Sequence, residues 1–170
     1  IYAREGVPLP RSTLAQWVGQ CGVQLQPLVD ALKAEMLTHT VLHADETPVE
    51  MLKPGTGKTH RAYLWAYSPG AFEPMKTVVY NFAESRSGEH ARAFLGDWRG
   101  SLICDDYGGY KASFAQGITE VGCMAHARRK FFDLHANGSS QIAGQALQTM
   151  GLLYHIERET QDLSAEDRQA

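Results

Sequence analysis

Thr40-Val41-Leu42-His43-Ala44-Asp45-Glu46-Thr47 and Ser101-Leu102-Ile103-Cys104-Asp105-Asp106-Tyr107 are two short apolar runs that each end by presenting a carboxylate. An acid at the end of a buried strand is expensive to desolvate unless a counter-charge, usually a metal ion, compensates it. A third acid, Glu157, lies far downstream in Leu152-Leu153-Tyr154-His155-Ile156-Glu157-Arg158-Glu159. Asp45 and Asp105 are 60 positions apart and Glu157 follows 52 positions later. Such separation suits ligands carried on rigid elements of one fold rather than by one local loop. Three acids of this kind are enough to hold a pair of divalent ions and to cut or join phosphodiesters.

Outward from these runs the chain reads as alternating element types. Residues 1–38 are helical: a helix starts at Pro10-Arg11-Ser12-Thr13 and runs through Leu14, Trp17 and Val18, and Gly19-Gln20-Cys21-Gly22 is expected to end it. A second helix is expected to carry Leu25, Leu28, Val29, Leu32, Met36 and Leu37 on one broad face. The first of the two suits either one arm of a helix-turn-helix or an amphipathic packing helix, and the absence of a basic recognition face after it favours packing. Strands follow at Val41–Thr47, at the aromatic-rich Arg61–Tyr67 and at Thr77–Phe82. Turns at Pro54-Gly55-Thr56-Gly57 and Ser68-Pro69-Gly70 make these an antiparallel meander. A helix over Ser87–Leu95, a buried-type strand Ser101–Cys104, a short helix after Gly108-Gly109-Tyr110, a fifth strand Val121–Met124 and further helices complete the order.

Three hairpin-linked strands followed by strands joined through helices predict a mixed five-stranded α/β sheet with helices packed on it. In the ribonuclease H-like version of that order the fourth strand lies beside the first. Asp45 and Asp105 would then project side by side, with a late helix bringing Glu157 across them. That adjacency comes from the fold type and not from periodicity.

Composition sets outer bounds. The chain has 170 residues, 44% hydrophobic and 21% charged, enough for a substantial core. Nothing approaches the ~18 consecutive apolar residues of a membrane span, and no signal peptide is evident. The three cysteines, Cys21, Cys104 and Cys123, are widely spaced and read as reduced core residues of a cytosolic protein. Ile1, without a methionine, and the charged stretch 164–170 read as cuts through a longer protein. The expected division is a helical segment over 1–38, belonging to a missing upstream region, and a catalytic domain over 39–170, truncated at its C-terminus.

A net charge of −3 excludes a chain coated in phosphate-binding lysines. It leaves room for a local basic patch, and Arg128-Arg129-Lys130 is the densest one, just after His126. Arginine forks match phosphate oxygens, so contact with a DNA backbone is the functional reading. A solvated helix start over a buried Phe131-Phe132 is the alternative. His126 suits either an auxiliary phosphate contact or a packed core position. Cys123-x-x-His126 has the spacing of half a zinc site but no second pair. Gly55-Thr56-Gly57-Lys58-Thr59 ends like a phosphate-binding loop, but Leu52 stands where that motif needs glycine and a strand follows where it needs a helix. It reads as a hairpin loop that offers Lys53, Lys58 and Arg61 to DNA.

Five motifs occur together and in order: His43-Ala44-Asp45-Glu46-Thr47-Pro48-Val49, Tyr63-Leu64-Trp65, Asp105-Asp106-Tyr107-Gly108-Gly109-Tyr110, Cys123-Met124-Ala125-His126-Ala127-Arg128-Arg129-Lys130-Phe131 and Leu153-Tyr154-His155-Ile156-Glu157. From about residue 8 to the end, this set resembles the IS66-family transposases of bacterial insertion sequences. The resemblance implies an Asp-Asp-Glu triad on a ribonuclease H-like fold. The first Asp falls on Asp45, the second on Asp105 and the Glu on Glu157. Asp106 stands where the family often has glycine, so Asp106 stays open as an alternative second ligand; Glu159 and Glu120 stay open as alternatives to Glu157. The resemblance further implies Mg²⁺, with Mn²⁺ as a substitute, as cofactor. Its implied partners are DNA at the element's ends and target, other copies of the chain on DNA, and accessory proteins of the same element. The implied location is the bacterial cytoplasm, at the nucleoid when bound to DNA. Two other readings use the same residues: a nuclease or junction resolvase that cleaves without joining, and an inactive transposase fragment that retains only DNA binding.

Overall fold

The computed structural model describes residues 2–138, 140–164 and 166–169. The chain forms two compact units, residues 1–120 and 121–170. No helix among the described residues is long and apolar enough to cross a membrane.

The first unit opens with a single helix, α1 (Arg11–Met36). The expected break at Gly19–Gly22 does not occur, and Pro27 also lies inside the helix. Neither glycine adopts the positive φ of a helix cap. Each costs about 1 kcal/mol relative to alanine in a helix interior, too little to stop a ladder of this length. With no turn between two helices, the helix-turn-helix reading falls. The packing reading holds only for the C-terminal half. Met36 is buried and Val29 and Leu32 pack on the core, whereas Trp17, Val18, Leu25 and Leu28 are exposed.

The sheet is mixed and five-stranded, in the order β3-β2-β1-β4-β5. Its strands are β1 (Val41–Lys53), β2 (Lys58–Pro69), β3 (Val79–Ala83), β4 (Ser101–Cys104) and β5 (Thr119–Gly122). The meander β1-β2-β3 is antiparallel, and β4 joins the other edge of β1 in parallel. This is the predicted ribonuclease H-like arrangement, with the fourth strand beside the first. The strand bounds differ from expectation in two instructive places. β1 runs past Thr47 to Lys53, so Asp45 sits within the strand. Pro48 is tolerated there because β4 pairs only with Val41–His43. From Ala44 onward β1 has one edge without a ladder partner in β4, where a missing N–H does no harm. β5 ends at Gly122, and Met124 already belongs to the next helix.

Alternation along β1 sends Leu42, Ala44 and Glu46 into the buried face and leaves Val41, His43 and Asp45 on the other. Leu102 and Cys104 of β4 join the buried side. Helix α2 (Gly88–Leu95) covers that face with Ala91, Phe94 and Leu95. The rings of Phe94 and Tyr67 stack at 3.8 Å between centroids. Ser87 caps α2 by accepting from the Glu89 amide, and Gly96, at φ 55°, ends it.

Two close approaches fix the loops that frame the sheet's edge. A Cβ at Gly100 would collide with the Thr40 carbonyl and the Trp98 ring. Glycine there lets the Ser101 amide donate to Thr40 O at 2.9 Å, which starts the β1–β4 pairing. A Cβ at Gly88 would collide with the Gly109 carbonyl, so the 3-10 turn Gly108–Tyr110 packs against the start of α2. A short helix, α3 (Lys111–Ala115), follows.

The second unit is a helical hairpin of α4 (Met124–Gly138) and α5 (Gln141–Glu159). Ser140 caps α5 by accepting from the Ala143 amide at 3.3 Å, and Ala143 is buried.

Candidate active site

Parallel pairing of β1 with β4 ends at His43↔Ile103. Extending that register by two residues sets the main chain of Asp45 opposite that of Asp105. Asp45 is exposed on β1 and its Oδ1 accepts from the Glu46 amide at 3.0 Å. Asp105 stands one residue past β4, and its Oδ1 accepts from the Tyr107 amide at 3.0 Å, the local geometry of an Asx turn. The strand order thus brings two of the three predicted acids to the point where β4 ends beside β1.

Asp105 and Asp106 differ sharply in surroundings. The Asp105 side chain is 26% exposed and its Oδ2 lies 3.9 Å from Arg86 Nη2. The Asp106 side chain is 75% exposed and pairs with Lys111 at 3.0 Å. Lys111 also pairs with Glu120 at 2.6 Å, and these two partners, Glu120 first, raise the Lys111 ammonium above its ordinary pKa.

Beneath Asp105 lies a buried acid that the sequence reading passed over. The Glu46 side chain is 1% exposed. Its Oε1 accepts from Arg86 Nε at 2.9 Å and Nη2 at 2.5 Å, and its Oε2 accepts from the Tyr110 hydroxyl at 2.7 Å. Burial pushes the Glu46 carboxyl above its ordinary pKa, against the opposing pull of the Tyr110 and Arg86 hydrogen bonds. Burial and then the bond to Glu46 push the Tyr110 hydroxyl far up, which keeps it a donor. The Arg86 guanidinium lies 3.9 Å over the Tyr107 ring, and the Tyr107 hydroxyl donates to the Arg86 carbonyl. One signal for Glu46 was available: it continues the inward alternation Leu42-Ala44, so a polar residue had fallen on the apolar face. Nothing in the sequence pointed to Arg86.

Hard carboxylate oxygens suit Mg²⁺, which keeps several waters and takes few protein ligands. Asp45 and Asp105 fit that donor set. Among the described residues no three His, Cys, Asp or Glu side chains form a group that would hold a metal ion. Asp45 and Asp105 alone are fewer acids than the three the sequence reading calls for.

The remaining predicted residues belong to the second unit. Glu157 is on α5, its side chain 57% exposed and 3.5 Å from Arg168 Nη1. Arg128, Arg129 and Lys130 are exposed on α4, and His126 is half-buried there. Arg128 and Arg158, with Ala125, Gly151 and Tyr154, line an open groove of about 460 Å³ between α4 and α5. Arg128 and Arg129 also border a second, of about 430 Å³, with Ala125, Phe132 and Asp133. The basic cluster is thus solvent-facing, as both of its readings expect, but the buried Phe131-Phe132 pair of the alternative is not present, since Phe131 is only half-buried. Phe132 is itself 52% exposed.

Comparison with known proteins agrees with the motif set. The uncharacterized protein y4qI of Sinorhizobium fredii is 38% identical over 182 residues, spanning 99% of this chain and 33% of the relative. The uncharacterized protein y4jD of the same organism is 35% identical over 180 residues, spanning 99% of this chain and 35% of the relative. The chain therefore spans about a third of the length of these curated relatives. The family model described as Transposase IS66 family matches residues 1–170. By that match over its whole length, the chain belongs to the IS66 transposase family.

Proposed function

We propose that this chain carries the catalytic core of a DNA transposase that cleaves phosphodiesters at the ends of an insertion sequence and joins them to a target. The observation that carries the reading is that Asp45, on β1, and Asp105, one residue past the parallel strand β4, lie two residues beyond the end of the β1–β4 pairing in a ribonuclease H-like sheet, in a chain of a transposase family. Asp45, Asp105 and Glu157 are the ligands that would hold Mg²⁺ or Mn²⁺. Bound there, such ions supply an activated water or 3′-hydroxyl and neutralise charge on the leaving oxygen.

The chain's own side chains do the rest. Asp105, rather than Asp106, is the second ligand, because Asp106 is turned outward to Lys111. The Asx turn at Asp105 and the tucked turn Gly108–Tyr110 hold its carboxylate in one orientation. His126, Arg128, Arg129 and Lys130 contact the DNA backbone, where guanidinium forks donate in pairs to phosphate oxygens. Copies of the chain assemble on the element's two ends, with accessory proteins of the same element.

Incubating the full chain with Mg²⁺ and pre-cut DNA ends tests the reading. Joined products support it. Cleavage without joining would favour a nuclease on the same fold, and neither product would overturn it.

A further inference from the structure

We propose that Arg86 is a phosphate-binding residue beside Asp105: a guanidinium fixed from behind by the buried Glu46 carboxylate, whose remaining donors take an oxygen of a DNA phosphodiester. The inference rests on the DNA reading above and adds to it a contact within the first unit, made by a residue outside the basic cluster of α4.

The first ground is an asymmetry of burial. In the Arg86–Glu46 pair the carboxylate is 1% exposed and the guanidinium 41%. A buried ion pair is weak evidence for stability, since apolar residues of similar volume often do as well. What the pair does achieve is to hold a cation at one place on the surface. Nε and Nη2 both bond to Oε1, Tyr110 occupies Oε2, and the guanidinium carbon lies 3.9 Å from the centre of the Tyr107 ring. The tie from the Tyr107 hydroxyl to the Arg86 carbonyl anchors the main chain as well. Arginine has five N–H donors. Glu46 engages two of them, which leaves three that Glu46 does not use on a side chain 41% exposed.

The second ground is what those donors face. Nη2 lies 3.9 Å from Asp105 Oδ2, beyond hydrogen-bond range and within electrostatic reach. A phosphate oxygen taken there would sit next to the candidate metal ligand. Without Arg86, the carboxylates of Asp45 and Asp105 would present only negative charge to an incoming phosphodiester. Lys111, the other cation near this site, does not meet the need, because Asp106 and Glu120 already share it. A preorganised guanidinium loses little freedom when it binds, which is the advantage of arginine over lysine at such a site.

The test is DNA affinity as a function of salt, measured without divalent metal by anisotropy of a fluorescein-labelled duplex and the full chain. Arg86→Ala is expected to weaken binding roughly tenfold and to lower the log–log salt slope by about 0.9, the loss of one phosphate contact. Arg86→Lys, which keeps the charge and lacks the fork, is expected to restore the slope but only part of the affinity. If Arg86→Ala merely lowers the urea midpoint, and both variants bind DNA with the wild-type constant and slope, Arg86 is structural and the proposal is overturned. If the wild-type chain binds no DNA, the functional reading itself falls and takes this site with it.

Discussion

Glu46 Oε1 accepts two hydrogen bonds from the Arg86 guanidinium, at 2.9 and 2.5 Å, and so ties the middle of β1 to the loop before α2. With Tyr110 on Oε2 at 2.7 Å, this carboxylate joins three separate segments beneath the candidate site. Removing any one partner leaves a buried polar group unsatisfied. Tyr110→Phe is expected to cost about 1–2 kcal/mol. Glu46→Ala is expected to cost about 2–3 kcal/mol, below the range for fully buried pairs because Arg86 is partly solvated. Urea unfolding monitored by tryptophan fluorescence checks both, and an unchanged midpoint in either variant would contradict the network.

The same carboxylate sets a pH dependence. Burial raises the Glu46 pKa above its ordinary 4.5, so the folded state holds that proton more tightly than the unfolded chain does. Its favourable contribution is complete below pH 4.5 and is lost as pH rises through the folded-state value. The stability of wild type relative to Glu46→Gln should therefore fall as pH rises from about 4.5 and then level off. A relative stability that rises over that interval would mean that Arg86 outweighs burial.

Much of the sheet was legible because it rests on local signals. The alternation in β1, the aromatic run of β2 and the turn residues between them give the meander directly, and Gly108-Gly109 announces the break after β4. Less legible was what depends on tertiary compensation. Gly19-Gln20-Cys21-Gly22 read as a helix end, yet α1 passes through it, and through Pro27 as well, because single unfavourable residues are outweighed by a long hydrogen-bonded ladder. Asp45 read as a strand end because it closes an apolar run. It lies within β1, which simply loses its β4 partner there. The pairing of Glu46 with Arg86, 40 positions away, left no trace in periodicity, since a charge on an apolar face reveals that it needs a partner but not which one.

Gly100 offers a test of the strand pairing that places Asp105. A methyl group there meets the Thr40 carbonyl and the Trp98 ring. Gly100→Ala should cost about 1–3 kcal/mol through forced displacement of β4, whereas Gly22→Ala on the open side of α1, where nothing lies nearby, should be neutral or mildly stabilising. Equal midpoints for the two variants would contradict the close approach.

Thiol chemistry should separate two of the cysteines. Cys104 is buried, and burial, then the charge of Asp105, pushes its thiol up to about 12. Cys21 is exposed on α1. Iodoacetamide at mildly alkaline pH should label Cys21 in the folded chain and Cys104 only after urea is added. Mass spectrometry of the labelled chain reads this, and comparable native rates at the two sites would place Cys104 wrongly.

The most direct measurement is Mg²⁺-dependent cleavage and joining of DNA ends by the full chain carrying Asp45→Ala, Asp105→Ala or Asp106→Ala. Asp45→Ala and Asp105→Ala are predicted to lower the rate roughly 10³-fold or more while DNA binding persists, because each would remove a proposed metal ligand. Asp106→Ala, which removes an exposed partner of Lys111, should retain activity within a few-fold. Unchanged cleavage in Asp45→Ala, or loss in Asp106→Ala with Asp105→Ala still active, would contradict the account.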